Sequence, residues 1–179
     1  MPVMPFPSSL SIGTDICHIA RIQRLITRDA QGKSLQRFGR RIFNLYEQPE
    51  FERRVEDVIE RHGREQGMRK LAEWLAGRFA AKEAAIKAIR SRHITWHDIT
   101  IRVPPGHKEK VAPQMVIAAA SASAFASMKT GTVTATATAA IRKSMEHEED
   151  RDLEGAEARL SLSHDGEYAT AVVLAVDKG

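Results

Sequence analysis

A chain of 179 residues with 42% hydrophobic content is long enough for one domain with a real core. With 28% of its residues charged and no run of about 18 apolar residues, it has nothing to span a bilayer as a helix, so no membrane partner is expected. A formal charge of +4 favours acidic partners such as phosphates, nucleic acid or an acidic protein surface, while the single cysteine, Cys17, excludes an internal disulfide and a cysteine-built zinc site. That leaves an intracellular, reducing setting, cytoplasm or mitochondrial matrix.

The first ten residues, MPVMPFPSSL, lack the basic start and long apolar stretch of a secretory signal and the arginines of a transit peptide. Residues 9–16 alternate, with Leu10 and Ile12 on one side, and predict a short strand ending in a Gly13-Thr14-Asp15 turn. Over residues 19–28 the spacing predicts a helix with Ile22, Leu25 and Ile26 on its core face and Arg21, Arg24 and Arg28 on a basic face beside it. The segment 37–47 mixes apolar and basic residues, and 50–70 is so charged that it reads as a solvated helix or loop. Residues 71–90 give the strongest helix, rich in Ala, Leu, Glu and Lys, with Leu71, Leu75, Phe79, Ile86 and Ile89 at helical spacing.

Beyond that helix, residues 94–103 alternate as a strand and stop at Pro104-Pro105-Gly106, and a short apolar segment begins at Met115. The Ala/Ser/Thr-rich stretch 118–140 is ambiguous, its second half having a strand period, and 142–159 is a charged run read as solvated linker or exposed helix. Together, 118–159 is expected to hold a mobile insertion within one domain spanning 1–179. Residues 160–176 form a hairpin about Asp165-Gly166. Strands at both ends and a central helix predict an α+β fold in which the terminal strands share an antiparallel sheet packed against the long helix.

The central helix sets Glu83 and Lys87 four residues apart on one face. That spacing alone fits a surface ion pair. Glu83, however, lies at the border of the apolar stripe, about 60° from Ile86 and beside Phe79, where a partly desolvated carboxylate needs a partner or a metal ion. Asp15 alone would read as a turn or capping residue. With Glu83 it offers two hard oxygen ligands, a set that suits magnesium with water and phosphate oxygens completing its shell. Ser163, His164 and Asp165 are consecutive, which is a poor basis for a catalytic triad, since triad members meet through the fold. Cys17 sits in an apolar stretch and reads as a packing residue.

The segments SIGTDICHIARI, RRIFNLYE, LAGRFAAKEAAIKAI, ITWHDITI and LSLSHDGEYATAVVLA, in this order, resemble the successive motifs of the holo-acyl-carrier-protein synthase family, the small 4′-phosphopantetheinyl transferases. The resemblance implies an α+β transferase fold, a homotrimer with active sites between subunits, and Mg²⁺-dependent transfer of 4′-phosphopantetheine from coenzyme A to a serine of an apo acyl carrier protein, with release of adenosine 3′,5′-bisphosphate. It implies Asp15 and Glu83 as metal ligands, Glu83 and Lys87 as catalytic residues, and Arg78, Lys87, Pro113 and His164 as coenzyme A contacts. The basic face of Arg21, Arg24 and Arg28 would dock the acidic carrier. KVAPQMV around Pro113 departs from the family's glycine-lysine-proline pattern, and Arg90-Ser-Arg-His93 replaces its glycine-rich turn. The long 118–159 segment resembles eukaryotic members.

Two other classes remain to be weighed. Arg21, Arg24, Arg28, Arg37, Arg40 and Arg41 would also suit a basic nucleic-acid-binding domain, and the two carboxylates a metal-dependent phosphate-ester hydrolase. The combined motifs favour the transferase, for which no nucleic-acid partner is expected.

Overall fold

The computed structural model describes residues 9–102, 113–119 and 155–177. Five strands form one antiparallel sheet in the order β1-β5-β4-β3-β2: β1 (Leu10–His18), β2 (Ile99–Arg102), β3 (Gln114–Ala118), β4 (Gly155–Asp165) and β5 (Tyr168–Val176). Helices α1 (Ile19–Ile26) and α2 (Lys33–Ile42) lead into the long α3 (Gln48–Ala88), which lies across β1 and β5. The expected α+β architecture, with the two terminal strands paired, is what forms: β1 and β5 run antiparallel from Leu10↔Val176 to His18↔Tyr168.

The alternation of β1 decides which of its residues meet the helix. Ser11, Gly13, Asp15 and Cys17 point toward α3, while Leu10, Ile12, Thr14 and Ile16 point away. Gly13 is required by the closeness of the helix. A Cβ built there would run into the Ala84 carbonyl and lie 2.6 Å from the Ala88 amide nitrogen. The helix matches this with small side chains, Ala80, Ala81, Ala84, Ala85 and Ala88 all being buried. The core therefore sits between the alanine face of α3 and the inner face of the sheet, filled out by Ile22, Ile26, Ile42, Leu71, Leu75, Ile99, Ile101, Met115 and Val173.

Four sequence expectations change in detail. Gly13-Thr14-Asp15 is no turn, because hydrogen bonding to β5 carries β1 straight through to His18. The charged stretch 50–70 is helical and belongs to α3, opened by Pro49 in its first turn and broken at Gly63 (φ 68°, ψ 174°). Its exposed face carries Arg53–Asp57 and Arg69–Glu73 pairs, but Phe51 is buried against the Phe43 ring at 5.2 Å. Residues 94–96 are not strand: Trp96–Asp98 is a 3₁₀ turn, and β2 begins only at Ile99. Lastly, the end of the charged run 142–159 is ordered, since β4 starts at Gly155. The remainder of the expected insertion, 120–154, lies outside the described residues.

Along 79–89 the apolar stripe is also displaced. Leu71, Leu75 and Ile89 are buried as the spacing predicts, but Phe79 and Ile86 are only partly buried, because the alanines occupy the closest approach to the sheet. This puts the aromatic and charged side of the helix, including Glu83, at the edge of the core.

Candidate active site

Asp15 projects from the inward face of β1, next to Cys17 and opposite Ala171 of β5. Its side chain is mostly covered, with 15% exposure, whereas that of Lys87 on α3 is 52% exposed. The Lys87 ammonium lies 2.7 Å from Asp15 Oδ1 and donates a second hydrogen bond to the Thr14 carbonyl at 3.0 Å. One helical turn earlier, Glu83 accepts a hydrogen bond on Oε1 from the Trp96 indole at 2.6 Å. The junction of β1 and α3 thus joins Lys87 to Asp15, 72 residues apart in the chain, with Glu83 one turn back on the same face of the helix.

Each carboxylate is held by one oxygen. Among the described residues, Asp15 Oδ2 and Glu83 Oε2 have no hydrogen-bond partner. No group of three or more His, Cys, Asp or Glu placed to hold a metal ion occurs among those residues. Two hard oxygens, partly shielded from bulk water and lacking a third protein ligand, fit a divalent cation that completes its shell with water and substrate oxygens. They do not fit a closed structural zinc site.

A basic and aromatic wall borders this junction. Arg21 of α1 stands over the Phe79 ring at 5.2 Å, Phe79 packs beside Trp96 at 5.9 Å, and Arg41 of α2 lies over the Trp96 ring at 5.2 Å. Arg21, Arg24 and Arg28 are exposed, but only the first two lie in α1, since the helix ends at Ile26. Cys17 is buried in the core, as its apolar surroundings suggested. Burial pushes its thiol pKa up, against the opposing charge of Arg21.

Other residues expected at the site stand apart from this junction within one chain. Arg78 is buried. It donates to the Ile101 carbonyl and pairs with Glu50, both at 2.9 Å, while its guanidinium covers the Trp74 ring. Five residues separate it from Glu83, about 140° around the helix. His164 of β4 is exposed, lies against Gly77 and is 3.1 Å from the Glu73 carbonyl, six to ten residues or about 9–15 Å along the helix axis from Glu83. Pro113 precedes β3 and is partly exposed.

Two groups beside the site escaped the sequence reading. Lys82, neighbour to Glu83, is 0% exposed and aims its ammonium at Glu47 Oε2 (2.5 Å) and at the carbonyls of Ile42, Trp96 and Ile99 (2.8–2.9 Å). Burial lowers its pKa, and Glu47 opposes that shift. Glu47 in turn accepts from the Asn44 and Ile101 amides. The available signal was the stripe Leu75, Arg78, Lys82, Ala85, Ile89, which puts a lysine at a core position of the helix. Trp96 is the second, and its indole donor gave no sign in the sequence of what it would meet.

The sequence profile of the 4′-phosphopantetheinyl transferase superfamily matches residues 11–173. The chain belongs to that superfamily. It is 35% identical to the mitochondrial 4′-phosphopantetheinyl transferase B of Aspergillus fumigatus, over 98% of this chain and 99% of the relative. It is 37% identical to the holo-[acyl-carrier-protein] synthase of Aliivibrio salmonicida, over 51% of this chain and 60% of that protein. Its fold is similar to that of the holo-ACP synthase of Plasmodium yoelii, with a TM-score of 0.52 at 22% identity, covering 94% of this chain and 95% of the other. The phosphopantetheinyl transferase fold is thereby placed on the same elements that carry Asp15, Glu83 and Lys87.

Proposed function

We propose that this chain transfers 4′-phosphopantetheine from coenzyme A to a serine of an apo acyl carrier protein. The observation that carries the reading is the Asp15–Lys87 contact at the β1–α3 junction of a phosphopantetheinyl transferase fold, with Glu83 one helical turn from Lys87 on the same face. Asp15 and Glu83 would hold Mg²⁺, which when bound neutralises charge on the pyrophosphate oxygens and aligns the reacting groups.

In the reaction, the serine oxygen forms a bond to the β-phosphorus of coenzyme A, and the bond from that phosphorus to the bridging pyrophosphate oxygen breaks. Adenosine 3′,5′-bisphosphate leaves. Glu83 takes the serine proton through its free oxygen, directly or by way of a water. Lys87 exchanges Asp15 for a phosphate oxygen and stabilises the leaving group; its exposure and flexible stem permit that movement. The arginines of α1 supply a cationic edge for an acidic carrier.

The position of His164, exposed and away from Glu83 within one protomer, supports a site shared between copies of the chain, whereas Arg78 is held inside its own chain by Ile101 and Glu50. The outward face of the sheet supports association as well. Leu10, Ile12, Ile16, Val172, Leu174 and Val176 are all exposed on β1 and β5. A homotrimer is the assembly we propose, with His164 of one copy serving the coenzyme A bound by the next. The mitochondrion is the proposed compartment, in keeping with the Aspergillus relative.

Incubation with coenzyme A, Mg²⁺ and an apo carrier, followed by mass spectrometry of the carrier, tests the reading. A carrier heavier by one phosphopantetheine arm is expected. Release of the arm into water with an unmodified carrier would make the protein a hydrolase instead.

A further inference from the structure

We infer that Trp96 is a positioning residue for Glu83: its indole N–H holds Oε1 and leaves Oε2 as the one oxygen of that carboxylate free to work. The inference rests on the function proposed above. A glutamate on an exposed helix edge can rotate its terminal torsion and present either oxygen. Here the indole nitrogen lies 2.6 Å from Oε1, which fixes that rotation.

The chemistry of the donor matters. Indole N–H only donates; it has no lone pair with which to enter a metal's shell or to take a proton from the serine. A hydroxyl in its place could do both. Trp96 can therefore orient the carboxylate without competing for what the carboxylate binds.

The platform behind the indole is also fixed. The Trp96 carbonyl accepts from the buried Lys82 ammonium at 2.9 Å, and the ring is packed by Phe79 and covered by Arg41. The turn itself is closed by a reciprocal cap, with the Thr95 amide donating to Asp98 Oδ2 at 2.7 Å and the Asp98 amide donating back to the Thr95 side chain, whose hydroxyl also lies 2.8 Å from Oδ2. Asn44 further ties the turn through the His97 carbonyl. Lys82 and Glu83 are neighbours on α3, so one helical segment holds Trp96 by its backbone and is in turn oriented by its side chain.

The test combines kinetics with the indole N–H resonances of the ¹⁵N-labelled full chain, whose only tryptophans are Trp74 and Trp96. Trp96→Phe keeps a ring against Phe79 and Arg41 but removes the donor. We expect about a tenfold fall in kcat, at the lower end of the effect of losing a partner that orients a metal ligand, with KM for coenzyme A within about twofold of wild type. The Mg²⁺ concentration for half-maximal rate should rise several-fold. In the wild type, Mg²⁺ should displace the Trp96 resonance and leave that of Trp74 in place; Glu83→Gln should shift the Trp96 resonance and abolish its response to Mg²⁺. A Trp96 resonance that ignores both Mg²⁺ and Glu83→Gln overturns the inference, as does wild-type kcat and Mg²⁺ dependence in Trp96→Phe. If Trp96→Phe folds poorly, the spectra of wild type and Glu83→Gln decide. If the wild type transfers no arm while its Trp96 resonance still moves with Glu83→Gln, the proposed function has failed and the hydrogen bond has not.

Discussion

Lys82 and Lys87 stand on the same helix five residues apart, yet their surroundings are opposite. Lys82 is fully buried and surrounded by Glu47 and three backbone carbonyls. Lys87 is half exposed and bound to one carboxylate and one carbonyl at the edge of the sheet. The first is a closed polar cluster with no capacity left over. The second is open, and each of its carboxylates has an oxygen to spare. Position around the helix accounts for the difference: Lys82 faces the loop that joins α2 to α3 and the start of β2, while Lys87 faces β1, where Gly13 lets the helix come close. The closed cluster serves the fold, and the open one is the place for chemistry.

The comparison breaks most severely if Lys82 is removed. Lys82→Ala leaves Glu47 buried without its cation and takes one donor from each of three carbonyls, of which Ile99 keeps Asn44 and Trp96 keeps the Ile99 amide, so a loss of about 3–5 kcal/mol is expected, enough to unfold a marginal domain. Denaturant melts of Lys82→Ala, Glu47→Ala and the double variant should show the double costing clearly less than the sum of the singles. Near-additive losses would mean that the two are not coupled. Lys87→Ala, by contrast, should cost only about 1 kcal/mol, because the ammonium is half exposed even though Asp15 beneath it is mostly covered.

Next in size is Glu83→Gln, which spares the fold because the amide that replaces the carboxylate keeps an oxygen for the Trp96 indole, but deletes the negative charge. Transfer should fall by about 100-fold or more, the scale on which loss of one transition-state electrostatic contact falls. Full turnover with unchanged Mg²⁺ dependence would return Glu83 to the status of a structural residue.

A smaller effect is expected on the carrier-facing side. Arg21 packs over Phe79, so reversing it would disturb the aromatic wall as well as the charge. Arg24→Glu with Arg28→Glu isolates the electrostatic part. KM for the carrier should rise about tenfold with KM for coenzyme A unchanged, and the rate should lose most of its dependence on ionic strength, since the attraction is screened over about 10 Å at 0.1 M salt. Retained carrier affinity would move the docking surface toward Arg37, Arg40 and Arg41.

Much of this was legible in the sequence because it depended on local pattern. The strand period of 160–176 and the composition of 71–90 follow from side chains meeting one shared core, the alternation of Leu10 and Ile12 marks the outer, exposed face of β1, and the placement of Glu83 at the stripe's edge came from the helical angle alone. What was hidden depended on partners far away in the chain. Nothing local to Gly13-Thr14-Asp15 distinguishes a turn from a strand that will pair with β5. Lys82 resembles any helix-surface lysine until Glu47, 35 residues earlier, is brought beneath it, and Arg78 looks free until Glu50 occupies it. Trp96 sits in a segment that alternates like a strand, and only the Thr95–Asp98 cap and the Lys82 ammonium turn it into a platform.

The smallest expected effect concerns Asp177, which fastens the end of β5 to the exit of α3. Its carboxylate accepts hydrogen bonds from the Arg90 and Ser91 amides and from the Ser91 hydroxyl, and the Ser91 hydroxyl leads the contacts that lower its pKa. A carboxyl with a depressed folded-state pKa adds stability that is present above the unfolded value, about 3.9, and is lost as pH falls through the folded value. The group is exposed, so the contribution is small. Asp177→Asn should thus lower Tm slightly and evenly between about pH 5 and 8, and the two melting curves should converge as pH falls below about 4. Because Arg90 lies three residues beyond Lys87 and donates to the Lys87 carbonyl at 3.4 Å, the same variant also asks whether this clamp reaches the open cluster. An unchanged kcat at neutral pH would keep the clamp separate from the site. A large fall in kcat with little change in Tm would show that the end of α3 must be held for Lys87 to act, and the division between a closed structural cluster and an open catalytic one would then have to include Asp177 on the catalytic side.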